Sequence, residues 1–406
     1  MHVVFVEPSF PRNQVEFVRA LAEVGASVTG IGETPLEALP DGVKRYLDAY
    51  EHVGSVCHED EMLAAVRRIQ DRGWVDRLEA TVEAHILPVA RVREACTIPG
   101  TSVRTAFLCR DKPAMKEALR EVGVPCAASD GVSSPEEARA FAERVGYPII
   151  LKPRSAAGAA GTYRVDNDDE LEAAIRECGM DRGASTAAEE FIEGHEAFYD
   201  TLTINGQIRH EFISHYFPGV LEAMRTRWIS PYFLTTNRVE ADSYDEVRQM
   251  GKRVIEALGI ETSATHMEWF FGPKGLKFSE IGCRPAGVGA WDLYCAANDM
   301  DLYREWASAI AYGSSETQPS RNYSTGIINL RPDRDGHIAG YGGLEEVHAR
   351  FGQHILDSHL PPPGSPTQPV SAGYMANAWI RMRHRDYDEL RRMLDFVGQT
   401  AKVFAR

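Results

Sequence analysis

Gly146-Tyr-Pro-Ile-Ile-Leu-Lys152-Pro-Arg-Ser155-Ala-Ala-Gly158-Ala-Ala-Gly161-Thr162 is the stretch on which the reading of this chain turns. Tyr147 to Lys152 has the continuous apolar character of a buried strand and ends on a lysine. The loop after it is built from Ser, Ala and Gly. Without bulky side chains, its backbone N–H groups can close on phosphate oxygens while the Lys152 ammonium supplies the counter-charge. The spacing is not G-x-x-x-x-G-K-[ST], which sets aside a P-loop. Taken alone, such a loop is also an ordinary surface turn; its neighbours decide between the two.

Upstream, Asp111-Lys112-Pro113 through Gly123 predicts a helix with proline in its first turn and glycine at its end. Downstream, Glu189-Glu190-Phe191-Ile192-Glu193-Gly194-His195-Glu196 puts several acids on a strand that stops at a glycine, a pattern that plain solvent-facing acids would also give. Farther on, Thr265-His266-Met267-Glu268 and Phe278-Ser279-Glu280-Ile281-Gly282-Cys283-Arg284 flank Gly272-Pro-Lys-Gly275 and read as a hairpin. A connection with an odd number of loop residues sets Glu268 opposite Glu280 on one face; a two-residue turn sends them to opposite faces. Two carboxylates side by side repel unless a cation lies between them, and oxygen donors suit Mg²⁺.

The beginning of the chain reads as strand (Val3 to Val6), helix (Val15 to Val24, closed by Gly25) and strand (Ser27 to Ile31), the unit of a Rossmann-like parallel sheet. No G-x-G-x-x-G follows the first strand, which argues against a dinucleotide at that turn. Tyr216 to Glu240 reads as irregular, Ser243 to Leu258 as a helix stopped by Gly259, and Leu360-Pro-Pro-Pro-Gly364 as a break in the last segment. Arg383-His384-Arg385-Asp386 reads as a charged helix entry, with no Gly-rich loop or D-F-G to make it a kinase motif.

Length and composition set outer limits. A chain of 406 residues, 44% apolar and 25% charged, is expected to form two or three lobes of one globular enzyme. A net charge of -15 opposes a nucleic-acid partner, which would need a basic surface. Seven cysteines without C-x-x-C spacing read as reduced thiols. The opening MHVVFVEPSF has too short an apolar run for a secretory leader, and no segment reads as a membrane span, so a cytoplasmic protein with no membrane partner is expected.

Taken in order, these pieces resemble the ATP-grasp superfamily, and the resemblance covers residues 80 to 290 well, beginning with Glu83 and Ala90 to Gly100. It implies an α/β fold: a Rossmann-like domain over 1–108, a small α+β lid lobe over 109–195, and a larger α+β lobe with a C-terminal extension over 196–406. Carried over by position, Lys112 and Lys152 become phosphate ligands, with Ser155, Gly158, Gly161 and Thr162 in the closing loop. Glu189 with the Phe191-Ile192 backbone becomes the adenine hinge, and Glu196 the ribose ligand. Glu268 and Glu280 hold Mg²⁺, or Mn²⁺, and Arg284 stabilises an acyl-phosphate or a tetrahedral intermediate. The family often has Asn where this chain has Gly282; in the register that pairs the two carboxylates, His266 lies opposite and is a candidate to fill the gap.

The implied activity is ATP-dependent, ADP-forming ligation of a carboxylate to an amine through an acyl-phosphate, in the manner of amino-acid and dipeptide ligases. Leu330-Arg-Pro-Asp-Arg-Asp-Gly336 with Gly343-Leu344 resembles the C-terminal extension of that group. The alternatives are a purine-pathway or carboxylase-like enzyme and an ATP-binding regulatory protein without catalysis. Expected partners are small-molecule carboxylate and amine substrates and, on base rates, a second copy in a homodimer. Candidate substrate-pocket residues are His215, Glu222, Arg225, Arg227 and Trp228; an arginine there could grip a carboxylate, and a surface salt bridge is an equally good reading.

Overall fold

The computed structural model describes residues 1–154, 161–287, 289–370, 374 and 376–406. Ser155 and Gly158, two of the loop residues expected to close on phosphate, lie outside the described residues.

The N-terminal lobe is a parallel sheet of β1 (His2–Val6), β2 (Ser27–Gly32), β3 (Ala49–His52) and β4 (Arg77–Glu79), in the order β3-β2-β1-β4. Val3 to Val6 are wholly buried because helices Gln14–Glu23 and Glu59–Gln70 connect the parallel strands and pack over them. β1 has β2 on one side and β4 on the other, so the strand order reverses there. Beyond the carboxyl ends of β1 and β4 lie Pro11 to Phe17 and Thr81 to Glu83, the positions where open α/β sheets take ligands.

The second lobe is a small antiparallel sheet of β5 (Ser129–Val132), β6 (Ile149–Pro153), β7 (Tyr163–Val165) and β8 (Thr186–Glu190), in the order β5-β8-β6-β7. Helices Pro135–Val145 and Asp168–Glu177 cover its apolar face, each entered through a side-chain cap, Ser134 and Asn167, that accepts a first-turn N–H.

Eight antiparallel strands build the third lobe: β9 (His195–Ile204), β10 (Gln207–Phe217), β11 (Tyr232–Thr235), β12 (Ser263–Gly272), β13 (Gly275–Gly282) and β14 (Ser324–Leu330), then, past β15 (Ile338–Gly342), β16 (Ile355–His359) and β17 (Ala378–His384). Their order is β13-β12-β9-β10-β11-β14-β17-β16, and β15 pairs separately with β18 (Lys402–Ala405). Helices Ala290–Asn298 and Leu302–Tyr312 cover one face, and Tyr387–Thr400 packs on the other beside β14 and β17. One expectation is corrected here. Tyr216 to Glu240 is not irregular throughout, because it contributes β11, which joins the β9/β10 half of the sheet to β14. Its four residues are all buried, too short a run to show a period. Asp386 does start a helix, its carboxylate accepting from the N–H groups of Asp388 and Glu389, while Arg383 and His384 belong to β17.

Candidate active site

A large cavity of about 2130 Å³ runs between the three lobes. The N-terminal lobe contributes Arg12 to Phe17 and Glu83, the small lobe Lys152, Thr162 and Glu189 to Gly194, and the large lobe Glu196, His266, Glu268, Glu280 and Arg284.

At one end sit the cations. Lys112 opens helix Lys112–Glu121 behind its Asp111 cap, and its Nζ lies 3.3 Å from Glu280 Oε2. Lys152, near the end of β6, lies 2.8 Å from Glu189 Oε2 and 3.7 Å from Glu280 Oε2. Sequence reasoning missed a third lysine. Lys116 stands one turn after Lys112, is wholly buried, and meets Glu189 Oε1 at 2.7 Å. Its signal was the i, i+4 spacing, which puts both ammonium groups on one side of the helix. Burial pushes the Glu189 carboxyl up, but Lys116 and Lys152 outweigh burial and hold it down at about 2. Burial likewise raises Glu280, and Lys112 and Lys152 reverse it to a net lowering. Burial lowers the Lys116 ammonium against the pull of Glu189. The carboxylate of Glu189 therefore fixes two lysines, and Phe191 and Ile192 beside it line the cavity. Arg164 stacks over Phe191 at 4.4 Å, and Lys274 pairs with Glu190. Gly194 is required by close approach: a Cβ there would stand 2.6 Å from the Phe271 carbonyl oxygen.

The β12–β13 hairpin resolves the question of register. Gly272 pairs with Gly275, so the turn has two residues, the case that sends Glu268 and Glu280 to opposite faces. They are nonetheless direct cross-strand partners, because Ser279 is inserted as a β-bulge between the Trp269↔Phe278 and Glu268↔Glu280 pairs. The bulge supplies the odd residue that the turn lacks. A third carboxylate, Glu196 on β9, accepts from Val220 N at 2.6 Å and is pushed up to about 8 by burial and then by Glu268 and Glu280. An all-oxygen set crowded this way fits a hard divalent cation. Among the described residues no group of three or more His, Cys, Asp or Glu is arranged to hold a metal by itself. Such a set suits Mg²⁺ shared between carboxylates and nucleotide phosphates.

Arg284 follows directly on this hairpin. Its Nε donates to Glu83 Oε2 at 2.7 Å, and Arg110 Nη1 donates to the Glu83 backbone carbonyl at 2.7 Å and its Oε1 at 3.2 Å. Glu83 comes from the N-terminal lobe, just past β4, so one carboxylate aligns the guanidinium across the lobe boundary. It also occupies the space left by Gly282, since a Cβ on that glycine would stand 2.9 Å from Glu83 Oε2. His266 does not fill that gap. Its Nδ1 bonds Asp200 Oδ1 at 2.7 Å and its Nε2 lies 3.6 Å from Glu268 Oε1. Burial lowers the imidazole, but Asp200 outweighs it and raises it to about 9, which favours the protonated ring beside Glu268. Tyr294 OH completes this chain by donating to Asp200 Oδ2 at 2.6 Å.

Of the expected substrate residues, Glu222 and Arg225 reach the cavity. Arg227 instead pairs with Asp335 at 2.8 Å, and Trp228 is 85% exposed. His215 is buried against His195 and Tyr244, with ring nitrogens 2.9 and 2.8 Å from their polar atoms. Gly161, in the left-handed region at φ 68°, and Thr162 lead from the loop into β7. Cys283 is buried beside Cys109, as expected for a packing residue.

Lysines, carboxylates and an aligned arginine thus face one cavity, and comparison with known proteins identifies the family. Residues 117–299 match the ATP-grasp domain. The chain is 30% identical over 295 residues to the L-arginine-specific L-amino acid ligase of Bacillus subtilis, covering 71% of this chain and 70% of that one. It is 26% identical over 244 residues to the alanine–anticapsin ligase of Bacillus amyloliquefaciens, covering 54% of this chain and 52% of the other. The crystal structure of an L-amino acid ligase from Bacillus licheniformis superposes with a TM-score of 0.78 at 18% identity, over 100% of this chain and 98% of that one. The chain belongs to the ATP-grasp family of carboxylate–amine ligases. Enzymes of this family use ATP. Among the described residues no helix is long and apolar enough to cross a membrane.

Proposed function

We propose that this enzyme joins two amino acids, activating the carboxylate of one with ATP and transferring its acyl group to the amine of the other. A single observation carries the reading: Lys112, Lys152, Glu280, Glu268 and Arg284 converge on one cavity that also holds the Glu189 to Glu196 segment. A carboxylate cannot itself be attacked by an amine at a useful rate, because its leaving group would be an oxide. Its oxygen therefore takes the γ-phosphoryl group, the bond to the β-phosphate breaks, and ADP leaves. The amine then forms the C–N bond as the C–O bond to phosphate breaks, giving an amide and inorganic phosphate.

Both steps move negative charge onto phosphate oxygens. Lys112 and Lys152 sit where that charge develops, already oriented by Glu189 and Glu280, so little reorganisation is needed. Arg284, aligned by Glu83, faces the acyl-phosphate or the tetrahedral adduct. Phe191 and Ile192 would meet the adenine edge through their backbone and Glu196 the ribose hydroxyls, all three lining the cavity; the loop of Ser155, Gly158, Gly161 and Thr162 is assigned to the triphosphate from the sequence. Glu268 and Glu280 would hold Mg²⁺, with Mn²⁺ as the alternative, supplying Lewis-acid neutralisation of the phosphates when bound. The retained lysines and paired carboxylates favour catalysis over an ATP-binding regulator. The working unit is proposed to be cytoplasmic and a homodimer, the latter checked by light scattering.

The test is ADP and phosphate release on adding mixed amino acids with Mg²⁺ and ATP, followed by mass measurement of the products. Amino-acid-dependent release accompanied by dipeptide masses is expected. Release that survives replacement of Lys152 or Glu280 overturns the site, and silence with every amino-acid pair overturns the reaction.

A further inference from the structure

A cavity of about 2130 Å³ is at least twice the roughly 300–1,000 Å³ usual for one small-molecule site. The lysines and the Glu189 to Glu196 segment occupy one end. The other end is walled by the last strands of the large sheet, which the ligase chemistry leaves without a role. Cross-strand pairing puts two polar rungs on its cavity-facing side. One rung is Ile327, Arg381 and Asp357 across β14, β17 and β16; the next is Asn329, Trp379 and His359. Asp357, His359, Trp379 and Arg381 all line the cavity.

The charges on this wall are not balanced. Arg381 Nη2 lies 2.7 Å from Asp292 Oδ2, its Nη1 donates to Asp357 Oδ2 at 3.2 Å, and its guanidinium lies over the Trp379 ring at 4.4 Å. The arginine is thus mostly covered, its side chain 16% exposed, while Asp357 is 50% exposed. Asp292 spends its second oxygen on the Tyr303 hydroxyl at 2.7 Å. Two carboxylates against one guanidinium leave the wall one negative charge in excess, and Asp357 is the acid turned outward. Asn329, the direct partner of Trp379, is wholly buried, and neither its amide nitrogen nor its oxygen has a hydrogen-bond partner among the described residues. A buried amide is seldom left so.

We infer that this wall is the side-chain pocket for an amino-acid substrate with a basic side chain. The aliphatic stem lies along Trp379, the terminal cation meets the outward oxygen of Asp357, and the Asn329 amide lies behind Trp379 on the same face. Arg381, neutralised by two acids, holds the Asp357 carboxylate in place; it is a positioning residue and does not grip an anionic substrate itself. This inference rests on the amino-acid ligase reading and names its substrate class.

The test separates the two. Calorimetry on the full chain with a non-hydrolysable ATP analogue and Mg²⁺ measures Kd for L-arginine, L-citrulline and L-glutamate. L-Arginine is expected to bind about tenfold or more tighter than its neutral analogue L-citrulline, the worth of one charge-assisted hydrogen bond. In Asp357→Asn the arginine-to-citrulline ratio is expected to fall to near one, and in Trp379→Leu both ligands weaken together. Equal wild-type affinities, a preference for L-glutamate, or an unchanged ratio in Asp357→Asn each overturn the pocket. Because the readout is binding, silence in the ADP-release assay would sink the ligase reading without deciding this one.

Discussion

The two ends of the cavity are both built from paired opposite charges, yet they reach that state by different routes. At the phosphate end, Lys112 and Lys116 come from one helical turn, and Glu268 and Glu280 come from one hairpin. At the far end, Asp292, Asp357 and Arg381 come from a helix and two strands separated by long stretches of chain. The first arrangement is carried by local spacing, the second by the topology of the sheet. On the proposed reading, local spacing carries the reaction and topology the choice of substrate.

That contrast can be broken by experiment. The largest effect is expected at the phosphate end: Lys152→Met removes an ammonium held in place for the transition state, and turnover with every amino acid should fall by about 10²–10³. A similar loss for some amino acids and not others would erase the division between the two ends. Next, Glu280→Gln should lower ADP release at least ~100-fold, whereas deletion of Ser279 removes the bulge and leaves Glu280 opposite Glu268, so its loss should be at least ~tenfold smaller. A deletion variant that folds and is as inactive as Glu280→Gln would show that pairing the two acids is not enough.

The third effect is on stability. Lys116→Met leaves Glu189 with Lys152 alone in a buried setting, and urea unfolding should show a loss of about 3 kcal/mol or more. The smallest effect concerns pH. His266 is raised by Asp200 to about 9 from 6.5, so its contribution is fully present below about pH 6.5 and is lost as pH rises through 9. Asp200→Asn should flatten the fall in melting temperature between those limits, and an unchanged slope would remove His266 as its source.

The same contrast explains what was legible in the sequence. Lys152, the Glu189 to Glu196 run and the two carboxylate strands announce themselves by composition and by order along the chain. The pairing of Glu268 with Glu280 was legible only as a conditional, since the bulge at Ser279 leaves no mark in an alternating pattern. Lys116 was hidden because a lysine on an amphipathic helix ordinarily faces water, and only the fold shows it wholly buried. β11 and β16 were not legible, being four and five residues long, and the far wall of the cavity depends on the sheet order they complete. Arg227 and Trp228 were over-read, because a cation or an aromatic in an unassigned stretch has no direction until the strands around it are placed.

The bulge at Ser279 imposes a rule of parity on the hairpin. With the two-residue turn and the bulge both kept, adding or removing one residue in either strand between Glu268 and Glu280 turns one acid away from its partner, whereas adding one residue to each strand leaves both paired. While both are kept, length variation in this segment is quantised in twos. A designer lengthening the hairpin around Pro273 and Lys274 has even steps available, and an odd step only by changing the turn or the bulge.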